Sequence, residues 1–379
     1  MWVRTLLKSE KARRLALVLS SLAFTLCLLE IPALLRILDY QHVFWKSAWR
    51  HTVVADPELL VHHPPDSHFS GARRGGELAL QYQIPAGDET LYRWDLSYDH
   101  NGFRNDRDLK TADIVVIGDS FVEGMTVPYA GIVTSLLAAL QRKVVANLGQ
   151  GSYGPQQELI VLRRYGLPLG PRTVIWMFFE GNDLQDAVNY RQTMTQRAIG
   201  PWRGFKARSF TWNAFLKLQR TLTPKVPGAQ RAGLFRTADG TAVTVYFGFR
   251  PQRLTGRNPE GLEETTAALA EAGRLCKAQG SRLVVVFIPT AFRAVHRFCQ
   301  FRPESECRNW VVNDMPARLQ RAVASISSEI GYLDLTPSFE AAAKSGLLPY
   351  YRDDSHWSEE GHRIAAEALH EYLSATQSR

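Results

Sequence analysis

Four consecutive β-branched residues, Ile114-Val115-Val116-Ile117, end abruptly at Gly118-Asp119-Ser120. An unbroken apolar run of that length, closed by a turn, predicts a short strand buried on both faces of a parallel sheet. Similar runs predict strands at 143–148, 173–179, 282–288 and 332–335. Helical periodicity occupies 130–141, 155–166, 260–279, 315–330 and 359–373, and the last opens on Glu359 and Glu360, as suits a helix N-terminus. This alternation predicts an α/β fold: a three-layer α/β/α sandwich around a five-stranded parallel sheet in flavodoxin-like order. Residues 39–110, rich in His, Pro, Trp and Tyr, show no clear period. They predict a segment of short irregular strands packed against the main domain, pinned at the Asn101-Gly102-Phe103-Arg104 turn. His62 and His63 fall here and read as solvated loop histidines rather than metal ligands.

A different pattern marks the beginning of the chain. Leu15 to Leu29 is apolar apart from two serines and a threonine, and apolar character resumes from Ile31 to Leu38. Together, 15–38 approach the ~20 residues a membrane-spanning helix needs. Glu30, Pro32 and Arg36 fall towards its far end, where an interface tolerates them. The basic tail 1–14 before it predicts a cytoplasmic N-terminus. No small-x-small cleavage site follows the apolar core, so the stretch reads as an uncleaved anchor rather than a signal peptide. The expectation is a single-pass membrane protein whose remaining residues lie outside the cytoplasm.

Charge sharpens this picture. The formal net charge of +8 is uneven, and residues 191–257 hold thirteen lysines or arginines against Asp239 alone. This basic stretch lies in an interruption of the β–α alternation, 190–258, interleaved with Trp202, Phe205, Phe210, Trp212, Phe215, Tyr246, Phe247 and Phe249. It reads either as a solvated insertion whose aromatics pack on the core or as a docking face for something anionic. Beside an anchor, phospholipid or an acidic glycan suits it, and nucleic acid does not. Of four cysteines, Cys27 and Cys276 read as structural thiols, while an oxidising compartment would allow Cys299 and Cys307 to pair.

Candidate chemistry gathers at the ends of predicted strands. Gly118-Asp119-Ser120 places a hydroxyl where the first strand turns off the sheet, the edge at which open α/β sheets bind ligands. Asn147-Leu148-Gly149-Gln150-Gly151-Ser152-Tyr153-Gly154 brings backbone N–H groups close to a bound oxygen. Glu180-Gly181-Asn182-Asp183 adds an amide, and Asp353-Asp354-Ser355-His356-Trp357 adds acid and base before the final helix.

In that order the four blocks resemble the SGNH (GDSL) hydrolase family, over roughly residues 111–190 and 259–375. The chain is also similar to membrane-anchored bacterial members that carry an Asn-Gly-Phe-Arg turn and an Asp-x-His-Trp block, as in alginate O-acetylation proteins. The resemblance makes 111–379 the hydrolase domain and implies Ser120 as nucleophile, His356 as base and Asp354 as its partner. The commoner family spacing would select Asp353 instead. It implies an oxyanion site from the N–H of Ser120, the N–H of Gly151 or Ser152, and the Asn182 amide, with Asp119 and Asp183 bracing the loops. No cofactor and no metal are implied, because Asp353, Asp354, His356 and His362 lack a recognised ligand spacing. The expected activity is an O-acetyl esterase or O-acetyltransferase acting on an envelope or extracellular glycan, with polysaccharide-assembly partners. A lipid esterase or thioesterase, or an inert scaffold, is the alternative.

Overall fold

A computed structural model describes residues 10–35, 37–38, 40, 53–197 and 209–377. Contacts divide the chain into two units, Met1–Thr52 with Thr193–Pro224, and Val53–Gln192 with Lys225–Arg379.

In the larger unit, five strands form one parallel sheet: β1 (Ile114–Gly118), β2 (Val145–Gly149), β3 (Thr173–Phe179), β4 (Arg282–Ile288) and β5 (Gly331–Asp334). Their order, β5-β4-β3-β1-β2, is flavodoxin-like. Alternate residues feed two cores, as strand geometry requires. Ile114, Val116, Ile175, Met177, Val284 and Val286 join a cluster with Leu137 of helix Val133–Gln141 and Leu369 of helix Glu359–Gln377. Val115, Ile117, Val174, Trp176, Val285 and Phe287 join the other, with Leu269 of helix Asn258–Ala278 and Leu319 of helix Met315–Ile326. Burial on both faces is why these strands read as unbroken apolar runs.

Several boundaries differ from the sequence reading. The helix expected over 155–166 is α-helical for Pro155–Val161 and then widens into a π-turn, Leu162–Gly166. The helix expected to reach 330 stops at Ile326 because Ser327 turns extended. Helix Thr336–Lys344, too short to announce itself by period, was not anticipated.

The segment before β1 forms two antiparallel pairs, Val54–Asp56 with Leu60–His62 and His68–Arg74 with Leu91–Ser97. His62 and His63 are not solvated, as their loop setting had suggested: they are 8% and 3% exposed. Their rings find partners inside the protein, His62 on Tyr153 Oη and the Asn101 carbonyl, and His63 on Glu123. Cys299 and Cys307, which an oxidising compartment would allow to pair, are both free thiols. Each serves as a small apolar residue in the core, where burial pushes their thiols up to about 12 and about 11. Within the 190–258 stretch, Phe247 is buried in the core, and an antiparallel hairpin, Ala232–Arg236 with Ala242–Tyr246, leads up to it.

The smaller unit holds helix Glu10–Leu34, of 25 residues and mean hydropathy 2.0 over its best window, long and apolar enough to cross a membrane. Near its C-terminal end Glu30 accepts from Ser209 Oγ at 2.8 Å and from the Thr211 N–H at 2.7 Å, capping helix Phe210–Leu222. Arg36 and the first nine residues, including basic Arg4 and Lys8, lie outside the described residues, as do Trp202 and Phe205.

Candidate active site

Ser120 begins the short helix Ser120–Glu123 directly off β1. Asp119 caps it, accepting the Phe121 N–H at 3.0 Å, and Gly124 ends it in the left-handed conformation at φ +65°. A side chain at Gly124 would also meet Ile132 at 2.6 Å. The short helix therefore closes within four residues and holds the Ser120 hydroxyl at the sheet's carboxyl edge.

Ser120 Oγ lies 2.8 Å from His356 Nε2, and His356 Nδ1 lies 2.6 Å from Asp354 Oδ1. The same carboxylate oxygen accepts the His356 backbone N–H at 3.1 Å, and the other accepts the Glu77 N–H at 2.8 Å. The imidazole rests on Phe121, ring centres 5.2 Å apart, and the following Trp357 is fully buried against Phe121 and Phe339. Burial disfavours a charged imidazole, yet the charge and hydrogen bond of Asp354, with Glu77 and Asp119 nearby, push His356 up to about 9. Burial opposes ionisation of Asp354 too, but His356 holds it below the usual carboxylate range.

Asp353 points elsewhere. Its carboxylate accepts the Gly76 N–H at 3.0 Å, the Thr90 N–H at 2.9 Å and the Tyr92 hydroxyl at 2.8 Å. With those bonds made, it faces the preceding segment rather than the imidazole.

The three oxyanion candidates are placed unequally. Gly151 approaches Ser120 closely, since a side chain on it would come within 3.6 Å of Ser120 Cβ. Its N–H, however, is donated to Glu123 Oε2 at 2.6 Å. Ser152 sits at φ +71° and its N–H, like that of Ser120, makes no hydrogen bond among the described residues. Asn182 Nδ2 donates to Asp186 Oδ2 at 2.8 Å, beside Asp119. The Asn182 turn is fixed from below by Asp183, which accepts the Phe179 N–H at 2.8 Å, and by a buried ion pair of Glu180 with Arg293.

Several residues that organise the site carried no sequence signal. Glu123, fully buried, accepts from Gly151, from the Tyr98 hydroxyl at 2.5 Å and from His63 Nε2 at 3.0 Å. Arg104 of the Asn-Gly-Phe-Arg turn donates to the carbonyls of Glu123, Gly124 and Val127, stabilising the negative end of the helix that Ser120 begins. That turn was visible in the sequence, but its destination was not. Behind Asn182, Asp119, Glu158, Asp183 and Asp186 form a buried acidic group. Burial pushes Asp119 up to about 6 and Asp186 up to about 7.

The metal-ligand set weighed from the sequence does not gather. Asp353 is occupied as described, and His362 Nδ1 accepts the Val133 N–H at 3.2 Å, its ring held neutral by burial and pushed down to about 3. Glu77, Asp354 and His356 do converge to within 4.8 Å. Both ring nitrogens of His356 are already engaged, by Asp354 and Ser120, which leaves no lone pair for a cation.

Residues 249–379 match the family described as ALGX, SGNH hydrolase-like domain, acetyltransferase AlgX. The matched region contains Asp354 and His356 but not Ser120 or Asn182. Comparison with curated proteins found no match. Among solved structures, a GDSL-like lipase from Bacteroides thetaiotaomicron is similar at 12% identity and TM-score 0.34, over 69% of this chain and 88% of that one. An acetyl xylan esterase overlaps at 11% identity and TM-score 0.36, over 69% and 98%. A Corynascus thermopiles carbohydrate esterase family 2 enzyme with a carbohydrate-binding domain overlaps at 10% identity and TM-score 0.39, over 79% and 75%.

Proposed function

We propose that this protein, with its SGNH hydrolase-like domain, is a serine-dependent esterase or acyltransferase that removes or transfers O-acetyl groups on an envelope or extracellular glycan. The observation that carries the reading is the hydrogen-bonded chain from Ser120 through His356 to Asp354, at 2.8 and 2.6 Å. Asp354 fixes the proton on Nδ1, so the Nε2 lone pair faces the hydroxyl it must deprotonate. Ser120 Oγ attacks the ester carbonyl, and its proton passes to His356. The tetrahedral oxyanion is stabilised by backbone N–H groups at Ser120 and Ser152 and by the Asn182 amide. His356 then protonates the departing alcohol oxygen, leaving an acyl-serine. Water or a sugar hydroxyl, deprotonated by the same imidazole, releases the acyl group. Because the base works in its neutral form and His356 is pushed up to about 9, activity rises with pH through neutrality.

The acetyl group is supported by the family match, whose description names an acetyltransferase; the glycan rests on the resemblance drawn from the sequence. Helix Glu10–Leu34 serves as the membrane anchor in this reading and keeps the domain beside envelope polymers.

The test is intact-mass spectrometry of the full chain with 4-nitrophenyl acetate, beside Ser120→Ala. A mass gain of one acetyl group in the wild type alone is expected, and equal labelling of both proteins sinks the mechanism. Acetylated oligosaccharide set against long-chain acyl esters then decides the substrate. Preference for the long chains replaces the glycan reading with a lipid esterase.

A further inference from the structure

Glu77 stands beside the proposed base and has no part in the steps above. It opens helix Glu77–Gln81, in the segment that precedes the sheet. Its N–H donates to Asp354 Oδ2 at 2.8 Å, and its carboxylate accepts the Ser355 hydroxyl. An oxygen of Glu77, an oxygen of Asp354 and a ring nitrogen of His356 all lie within 4.8 Å of one another. Its neighbours tighten the grip. The Gly76 N–H reaches the Asp353 carboxylate at 3.0 Å, and the Leu78 N–H reaches the Asp353 carbonyl at 3.2 Å. A side chain at Gly76 would meet the Asp353 carbonyl oxygen at 2.3 Å and Asp354 Cβ at 2.6 Å, so the two stretches touch backbone to backbone. Residues 353, 354 and 355 are thus each hydrogen-bonded to residues 76–78. Any acceptor would hold Ser355; a carboxylate within reach of the imidazole also acts on its charge.

We propose that Glu77 is a positioning residue and a second carboxylate on His356, holding the 353–355 loop while its charge stabilises the imidazolium formed during acyl transfer. This rests on the reading of Ser120, His356 and Asp354 given above. The groups that face the imidazole are the carboxylates of Asp354, Glu77 and Asp119, the Ser120 hydroxyl and the Phe121 ring, with His362 close enough to feel its charge. Burial raises Glu77, with His356 opposing and Asp354 adding to the rise. In its ionised form Glu77 sets a negative charge beside the imidazolium. Removing that charge makes the imidazolium a stronger acid.

The experiment is the pH profile of kcat/KM for 4-nitrophenyl acetate hydrolysis by the full chain, as wild type, Glu77→Gln and Glu77→Asp. Gln keeps an acceptor for Ser355 and removes the charge. Its acid limb is expected to move down by about half a pH unit or more, with a lower plateau. An acid limb in Glu77→Gln that coincides with the wild type overturns the proposal even if the plateau falls, because a purely structural contact lowers rate without moving the limb. If Glu77→Gln does not fold, Glu77→Asp decides. Its shorter side chain draws the charge back from the imidazole, so a smaller downward shift of the acid limb is expected, and a limb that coincides with the wild type overturns the proposal. Hydrolysis retained by Ser120→Ala would instead sink the underlying reading, whatever Glu77 does.

Discussion

Two regions of the larger unit meet at the site, and they are built on opposite plans. The loops at the carboxyl edge of the sheet carry the groups that touch substrate in the proposed mechanism: Ser120 off β1, Asn182 off β3 and His356 before the last helix. Each is held by a local device, such as the Asp119 cap or the Asp183 contact to Phe179 N–H. The segment 53–110 supplies no reacting atom. Instead it sends His63, Glu77, Tyr92, Tyr98 and Arg104 inward to the undersides of those loops. Catalytic geometry depends on fixing rotamers to within a fraction of an ångström, and side chains fixed by neighbours on a second element are fixed best. The contrast teaches that the sheet edge chooses the chemistry while the preceding segment holds it in register.

Substitutions in the two regions should separate along that line. The largest effect falls at the sheet edge: Asp354→Asn, which allows the wrong imidazole tautomer, is expected to cost about 10⁴-fold in kcat. Asp353→Asn should leave most of kcat and cost about 1–3 kcal/mol of stability through weakened acceptors for Gly76, Thr90 and Tyr92. If kinetics and urea melts of the two variants exchanged these outcomes, Asp353 would be the acid and the assignment of the two aspartates would reverse.

A change confined to the holding segment comes next. Gly76→Ala forces Asp354 away and is expected to cut kcat/KM by about 10²-fold, the scale of an ångström misplacement. Unchanged kinetics in the folded variant would show that the segment does not govern register. A gentler probe is Glu123→Gln, which keeps the shape but weakens the charge-assisted bond to Gly151 N–H. A fall in kcat of about tenfold with KM nearly constant is expected; a change in KM alone would assign Glu123 to substrate binding.

The smallest effect probes the acids behind Asn182. Asp186 and Asp119 hold a proton more tightly folded than unfolded, at about 7 and about 6 against about 3.9 for a free aspartate. Their contribution to stability is therefore complete below about pH 4 and is lost as pH rises through 6 to 7. Asp186→Asn removes that loss at its own site, so its Tm should exceed the wild type's by a few degrees at pH 8 and match it at pH 4. A gain of equal size at both pH values would mean that the carboxyl titrates alike in the folded and the unfolded chain.

The sheet was readable in advance because burial on both faces leaves a mark in the sequence: Ile114 to Ile117 and Val174 to Phe179 are apolar without interruption. Ser120 and Asn182 were readable for a related reason, since each follows such a run at a polar turn, whereas His356 stands between helices Thr336–Lys344 and Glu359–Gln377. Glu123 was hidden in plain view three residues after Ser120, because nothing local says where a helical carboxylate will point. His62 and His63 were misjudged because a loop pattern gives no hint of burial, and burial here comes from Tyr153, Asn101 and Glu123, all distant in the chain.

By itself, then, the sequence determined the five strands of the sheet, the apolar first helix, the places of Ser120 and Asn182 after strands and that of His356 before the last helix, all of which follow from local periodicity and turn chemistry. Only the tertiary structure set Asp354 rather than Asp353 on His356, engaged the Gly151 N–H with Glu123, and brought Glu77 against the 353–355 loop. Those outcomes depend on hydrogen bonds between residues as many as 278 positions apart, and adjacent aspartates with the same chemistry are told apart by what folds against them.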